Sequence, residues 1–446
     1  MHPLPENLIS FEDRAPAPMT VIRLYPPNAQ RDEPTPFRLG VNYWPAAKGP
    51  ALFRQFDIDE VHCDMSIMAE LGLDFVRVFL NWEDFQPDPD SVNCCALARL
   101  AALCDAAAAE GIKVVTTLFS GHFMGHNWVP PWLLDTEPQA VSAIPLISNG
   151  KRVQGGYRDP VRDPKARKAA LRLVRAVAKT LSDHQALWAF DMGNAPDLMS
   201  HCEDSGSLRN WYVELAGALR NLDSHHAITC AVGAHTLCTN KGLHLDDACA
   251  SLTFACVGEQ TDEFWQVTDR LDPNLLGFTC ALASELTGKP CLSASWNLST
   301  VPQSPEPLHA GFSYSSDNLV SERTAVEYTE AALPALVASG AVGAIVGNYT
   351  DFQADLFDSP PFDTCLPERY RGLWRADGTL KPHGRLIGEF AETNPSVQVP
   401  PPRRARVDVS IEQYYADPLA HCRRLHQAFS LQASNHCEVR TMTPAK

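Results

Sequence analysis

With 446 residues, 45% of them hydrophobic, the chain is long enough for one large domain with decorations or for two, and a disordered or fibrous class is excluded. Its 37 basic and 53 acidic residues give a formal net charge of −16, which repels phosphate backbones and anionic membranes. The densest basic run, Arg403, Arg404 and Arg406, reads as a solvated linker, so neither a nucleic-acid nor a membrane partner is expected.

Residues 1–36 are proline-rich and aperiodic and read as an N-terminal extension. From Phe37 short apolar runs alternate with helical periodicity. Residues 39–43 predict a strand; Val61, Met65, Met68 and Leu71 then recur at helix spacing before Gly72. The cycle repeats with a strand at 75–80, a helix carrying Leu97, Leu100, Cys104 and Ala107, and a strand at 114–119. After a long loop, Asp163-Pro164 supplies an N-cap followed by proline at the first helical position. Leu171, Val174, Ala178 and Leu181 form the buried stripe of that helix. Strands follow near 186–192, 226–232, 251–256, 290–295 and 342–348, with helical stretches near 207–220, 275–287 and 322–338.

This regular alternation predicts an α/β fold, a closed (β/α)8 TIM barrel over 37–393, whose strand C-termini would carry the chemistry. Residues 394–446 form a linker, marked by Asn394-Pro395 and Pro400-Pro401-Pro402, and a C-terminal appendage with an amphipathic stretch around 414–429. That appendage is too short for its own core. It is expected to pack on the barrel or on a partner subunit, which opens a route to a homo-oligomer.

The chain has 14 cysteines and begins Met1-His-Pro-Leu-Pro-Glu6, without a basic then apolar leader, which predicts a reduced, cytoplasmic protein. No Cys-x-x-Cys occurs, no phosphate-binding glycine loop is present, and His122, His126 and His235 lack the helical spacing that fixes metal ligands. Neither a metal nor a cofactor is expected.

Several strings fall in order along the predicted barrel: Gly40-Val-Asn-Tyr-Trp-Pro45, Phe75-Val-Arg-Val-Phe-Leu-Asn-Trp-Glu-Asp-Phe-Gln-Pro87, Gly121-His122 with Asn127-Trp128, and Arg371-Gly-Leu-Trp-Arg-Ala-Asp-Gly-Thr-Leu-Lys-Pro382. Together they resemble cellulase-like proteins of glycoside hydrolase family 5, within the clan of retaining (β/α)8 glycosidases. The resemblance implies O-glycosyl hydrolysis by two carboxyl groups about 5 Å apart, one protonating the leaving oxygen and one attacking the anomeric carbon. In the family these stand at the ends of strands four and seven. Here the first falls in Trp188-Ala-Phe-Asp-Met-Gly-Asn194-Ala195-Pro196-Asp197, on Ala195. The second falls in Lys289-Pro290-Cys-Leu-Ser-Ala294-Ser295-Trp296-Asn297, on Ser295.

An engineered inactivation would leave the surroundings of those two residues intact. They are changed as well. The family's His-x-Tyr after strand six is replaced by Phe254-Ala-Cys-Val-Gly-Glu259-Gln260, and its Trp after strand eight falls near Gly347. Natural divergence accounts for such a pattern, and a carbohydrate-binding pseudoenzyme is the expected function. Arg77, His122 and Asn194 match substrate-side positions of the family, while Trp44, Trp82, Trp128, Trp132 and Trp296 fall in strand-end loops where aromatic faces can stack on sugar rings.

Each has a plainer reading: Arg77 pairing with Asp74 or Glu83, His122 as a hydrogen-bonded loop residue, the tryptophans as rim packing, and Asp191 as a structural carboxylate turned to the barrel wall or a helix. The alternative function is an active hydrolase on β-linked glycosides with other catalytic carboxylates, of which Glu259 and Asp351 are the candidates. Two acids about 6.5–9.5 Å apart would permit inversion. An esterase triad of Ser295 with His122 or His235 is disfavoured because no Gly-x-Ser-x-Gly elbow surrounds Ser295.

Overall fold

The computed structural model describes residues 34–441 apart from 136–141, 201–204, 241, 259–263, 295, 297 and 303–318. Side chains are described through residue 432, except those of residues 205 and 265. Eight parallel strands close into a barrel among these residues. They are β1 (Arg38–Asn42), β2 (Phe75–Phe79), β3 (Lys113–Thr117), β4 (Leu187–Asn194), β5 (Ala227–Gly233), β6 (Ala255–Gly258), β7 (Cys291–Ser293) and β8 (Gly343–Thr350). Each pairs with its sequence neighbour, and β8 pairs with both β7 and β1 to close the ring. A short ninth strand, β9 (Gly372–Trp374), lies against the end of β8.

Helices follow the strands: α1 (Ile58–Glu70), α2 (Cys94–Ala109), α3 (Pro164–Leu181), α4 (Ser205–Arg220), α5 (Leu245–Cys249), α6 (Leu275–Thr287), α7 (Glu322–Ala338) and α8 (Pro382–Glu392). Local chemistry sets their starts. Asp57, Asn93 and Asp163 each accept backbone N–H bonds that the first turn of α1, α2 and α3 leaves unmade, and Pro164 occupies the first helical position of α3 where no donor is needed. The apolar stripes then face the outer side of the strands. Val61, Met65 and Met68 of α1 and Leu173, Val174 and Val177 of α3 are fully buried there.

Inside the barrel a separate cluster fills the N-terminal end. Phe75 and Trp188 meet edge to face at 4.7 Å, and Trp188 stacks on Phe254 at 5.8 Å. Gly40 lets the Phe75 ring occupy the space where a β-carbon would lie 2.5 Å from it. The barrel floor is therefore packed shut, as expected of the fold.

The long loop between β3 and α3 contains structure that periodicity did not predict. His122–Phe123, His126–Trp128, Leu146–Ser148 and Lys151–Val153 form a small four-stranded sheet beside the barrel mouth. Strands this short leave no readable alternation.

Thr35–Pro36 pairs antiparallel with Ser396–Val397, so the start of the described chain is tied to the segment leaving α8. Beyond it, α9 (Ile411–Ala416) and α10 (Pro418–Thr441) pack on the barrel exterior. The Tyr414 hydroxyl donates to the Leu237 carbonyl at 2.6 Å, and Arg403 donates to the Phe429 carbonyl at 2.9 Å. No helix of the described residues is long and apolar enough to cross a membrane.

Candidate functional site

Trp44 follows β1 and Phe79 ends β2, and their rings stack at 4.4 Å. Phe123 stacks on Trp44 at 5.9 Å and on Trp128 at 4.5 Å. These buried rings, with Met124 and Ile147, form a hydrophobic cluster over one side of the barrel mouth. What remains at the centre is a cavity of about 30 Å³. Asn42, Arg77, Asn194, Asn348, Glu368 and Arg371 supply its polar lining.

Beneath it lies the best-connected polar group of the barrel. Arg77 on β2 donates from Nε to Asp191 Oδ2 at 2.9 Å and to Thr117 Oγ1 at 3.0 Å. The Thr117 hydroxyl donates in turn to Asp191 Oδ2 at 2.8 Å, and the other carboxylate oxygen accepts the N–H groups of Gly193 and Ala231. A buried charge pair needs its remaining hydrogen-bonding capacity met, and strands β2 to β5 all contribute here. The sequence-based alternatives for Arg77 are thereby corrected. Asp74 instead pairs with Arg38, and Glu83 with Arg54. Asp191 is structural, but its partner is this arginine inside the barrel.

At the end of β4, Asn194 donates from Nδ2 to the His122 carbonyl at 2.5 Å. Ala195 is 1% exposed and adopts φ 45° and ψ 55°, a left-handed conformation that disfavours a β-carbon. Pro196 follows and bars its neighbour from the right-handed helical region. The Ala195 N–H donates to the Ala231 carbonyl at 2.8 Å, which ties the turn to β5.

The other predicted residues separate. His122 is held through Nδ1 by Asn127 Oδ1 at 2.8 Å, and is absent from the cavity lining. Trp82 is an internal residue: its indole donates to Gln86 Oε1 at 2.8 Å, and it meets Trp132 edge to face at 5.3 Å. Trp296 is 2% exposed and packs edge to face on Tyr328 of α7. Trp128 lies beneath a neighbouring groove lined also by Lys48 and Arg54. Among the five tryptophans, Trp44 alone reaches the cavity. Glu259 and Ser295 lie outside the described residues; Ala294, next to Ser295, lines the cavity.

Asp351 is engaged elsewhere. It accepts from Lys381 Nζ at 2.7 Å and from the Gly372 N–H at 2.9 Å, so it fastens the closing segment to β8. Burial pushes its carboxyl up to about 6, against the opposing pull of Lys381. Gly347 has φ 114°, and a β-carbon there would meet the Arg371 carbonyl at 3.2 Å, so any side chain at this position is strained.

Glu368, Asn42 and Asn348 were not singled out from sequence. Glu368 is 5% exposed and pairs through Oε1 with Arg371 Nη1 at 2.7 Å. Its signal was its position three residues before the recognised Arg371 segment. Asn42 Nδ2 lies 3.4 Å from Asn348 Oδ1 across the β1–β8 seam.

A family model described as Beta-galactosidase matches residues 52–228. A GH5_18 structure from Streptomyces cattleya in complex with GlcNAc is similar over 91% of this chain and 92% of its own, at 19% identity and a TM-score of 0.73. The similarity shows a shared (β/α)8 barrel fold. A variant of that Streptomyces protein, in complex with Manb1-4GlcNAc, is similar over 90% of this chain and 92% of its own, at 19% identity and a TM-score of 0.71. The exo-beta-1,4-mannosidase Op5Man5 from Opitutaceae bacterium strain TAV5 is 23% identical over 81% of this chain, with a TM-score of 0.65, and this chain spans 60% of its length. No curated protein matches.

Proposed function

We propose that this glycosidase-type barrel binds a carbohydrate at its strand C-termini and does not hydrolyse it by the retaining double displacement. The observation that carries the reading is Ala195. By the family resemblance it stands where the catalytic acid is needed, and it offers a buried methyl group that can neither give nor take a proton. Retaining hydrolysis needs two carboxyl groups at the anomeric carbon. Among the described residues lining the central cavity, Glu368 is the single carboxylate, and Arg371 already holds it.

Carbohydrate recognition is supported by the composition of the lining. Asn42, Asn194 and Asn348 present amides, Arg371 and Glu368 a charged pair, and Trp44 an aromatic wall. Such sets satisfy hydroxyl-rich neutral ligands, each polar group meeting donor or acceptor while the ring supplies apolar contact. The similar Streptomyces structures hold GlcNAc and Manb1-4GlcNAc. The cavity is about a tenth of the roughly 300 Å³ at which small-molecule pockets begin, so a saccharide would rest across the mouth with one group reaching inward.

The test is a pair of measurements on the purified protein. Calorimetric titration with Manb1-4GlcNAc and with gluco- and manno-oligosaccharides should give saturable binding. Incubation with the same ligands and with aryl β-glycosides should release no reducing sugar or aglycone. Hydrolysis abolished by Glu259→Gln would overturn this reading in favour of a relocated active site.

A further inference from the structure

The central cavity of the mouth differs from an open sugar cleft in size and in the state of its polar atoms. Its volume of about 30 Å³ admits a group the size of one or two waters. Two of its lining residues hold buried polar atoms without a partner among the described residues: the acceptor Asn42 Oδ1 and the donor Arg371 Nε. A buried polar atom left unpaired is costly, because burial removes the water that would otherwise bond it. One chemical group meets both needs in so small a space, since a hydroxyl donates one hydrogen bond and accepts others.

The charges restrict the choice further. Arg77 is consumed by Asp191 and Thr117 below the cavity. Arg371 is balanced by Glu368, whose carboxylate also lines the space. An entering anion would meet Glu368, and among the described residues lining the cavity no uncommitted cation would receive it. A neutral hydroxyl avoids that repulsion, donating to Glu368 or Asn42 and accepting from Arg371. An acetamido group is too bulky for the volume.

We infer that the barrel-mouth cavity is a slot for one unsubstituted hydroxyl of a neutral saccharide, with Glu368 and Arg371 as the residues that determine specificity. The inference rests on the carbohydrate-binding reading and deepens it. It locates recognition in the segment after β8, whereas the family resemblance places its essential groups on β4 and β7. Glu368 accepts from the hydroxyl and Arg371 donates to it, so the pair distinguishes a free hydroxyl from an ether, an amide or a deoxy position. The slot engages the group nearest the barrel axis while the rest of the ring stays outside, across the mouth.

The test uses the full chain and a series of methyl β-D-glycosides: mannoside, its singly deoxygenated derivatives, glucuronide and N-acetylglucosaminide, titrated by calorimetry and ligand-observed NMR. The mannoside should bind, one deoxy derivative should lose roughly ten-fold or more while the others lose little, and the glucuronide should bind worst. Glu368→Gln and Arg371→Lys should each weaken the mannoside roughly ten-fold and flatten the deoxy series, with thermal midpoints recorded to confirm folding. Equal losses across the deoxy series, or unchanged binding by both folded variants, would overturn the slot while leaving carbohydrate binding intact. Absence of binding to wild-type protein by this series and by the oligosaccharides above would overturn both.

Discussion

Arg77 and Asp191, 114 residues apart in sequence, form a buried ion pair that joins β2 to β4 inside the barrel. The pair sits directly below the cavity and takes up the charge of a residue that the family resemblance assigns to the substrate. Because Thr117, Gly193 and Ala231 complete the hydrogen bonding of Asp191, its carboxylate is built to hold the barrel.

Removing one partner leaves the other charge buried and unpaired. Arg77→Ala and Asp191→Ala should each lower stability by about 3–5 kcal/mol. Urea unfolding followed by circular dichroism measures the loss. The double variant should lose less than the sum, since the second substitution removes the stranded charge.

Supplying the missing carboxyl groups should not create a glycosidase. Ala195 is 1% exposed in a left-handed turn, so Ala195→Glu forces a carboxyl group into a buried position. The single variant should unfold at lower temperature than wild type, and Ala195→Glu with Ser295→Glu should show no turnover of aryl β-glycosides. Robust rescue would mean that only the two carboxyl groups were missing.

Asp64 on α1 accepts hydrogen bonds from Tyr43 at 2.9 Å and Tyr349 at 2.8 Å, bridging the ends of β1 and β8 from outside the barrel. Burial raises its pKa to about 6, the tyrosine bonds and Lys48 opposing while Glu60 adds to the rise. The folded state therefore binds this proton more tightly than the unfolded state does, and the stabilisation from protonation is lost as pH climbs from about 4 through about 6. Asp64→Asn should remove that component. Thermal midpoints of wild type minus variant should fall across this window and stay level above it.

Arg54 serves two buried acids, Glu83 at 3.4 Å and Asp84 at 3.1 Å. Burial is the main cause that raises both pKa values, Asp84 to about 7, with Arg54 pulling the other way. Below that range the protonated acids need the arginine less. Arg54→Met should therefore destabilise by about 1–3 kcal/mol above pH 7 and by less at pH 5, as read from urea midpoints at the two pH values.

Much of the barrel was legible because its signals are local. Asp163 and Pro164 announce the start of α3 within four residues of chain, and the Val61, Met65 and Met68 stripe marks the face of α1 that must be buried. Strand order follows from the same alternation, since parallel neighbours joined by helices have few ways to close. The four-stranded sheet within 122–153 escaped because its strands are two or three residues long.

The site was legible only in part. Sequence set Ala195 behind Asn194 at the end of β4 and marked the Arg371 segment, because both belong to contiguous strings. It could not say that Arg77 would choose Asp191 over the nearer Asp74 and Glu83, nor that Glu368 and Asn42 would meet at one cavity. Those outcomes depend on barrel register, which brings β1, β2, β4 and the segment after β8 to a common centre. Sequence alone determined which chemical groups this protein carries at its strand ends. The tertiary structure decided which of them spend their hydrogen bonds on each other, because burial leaves no water to substitute for a missing partner.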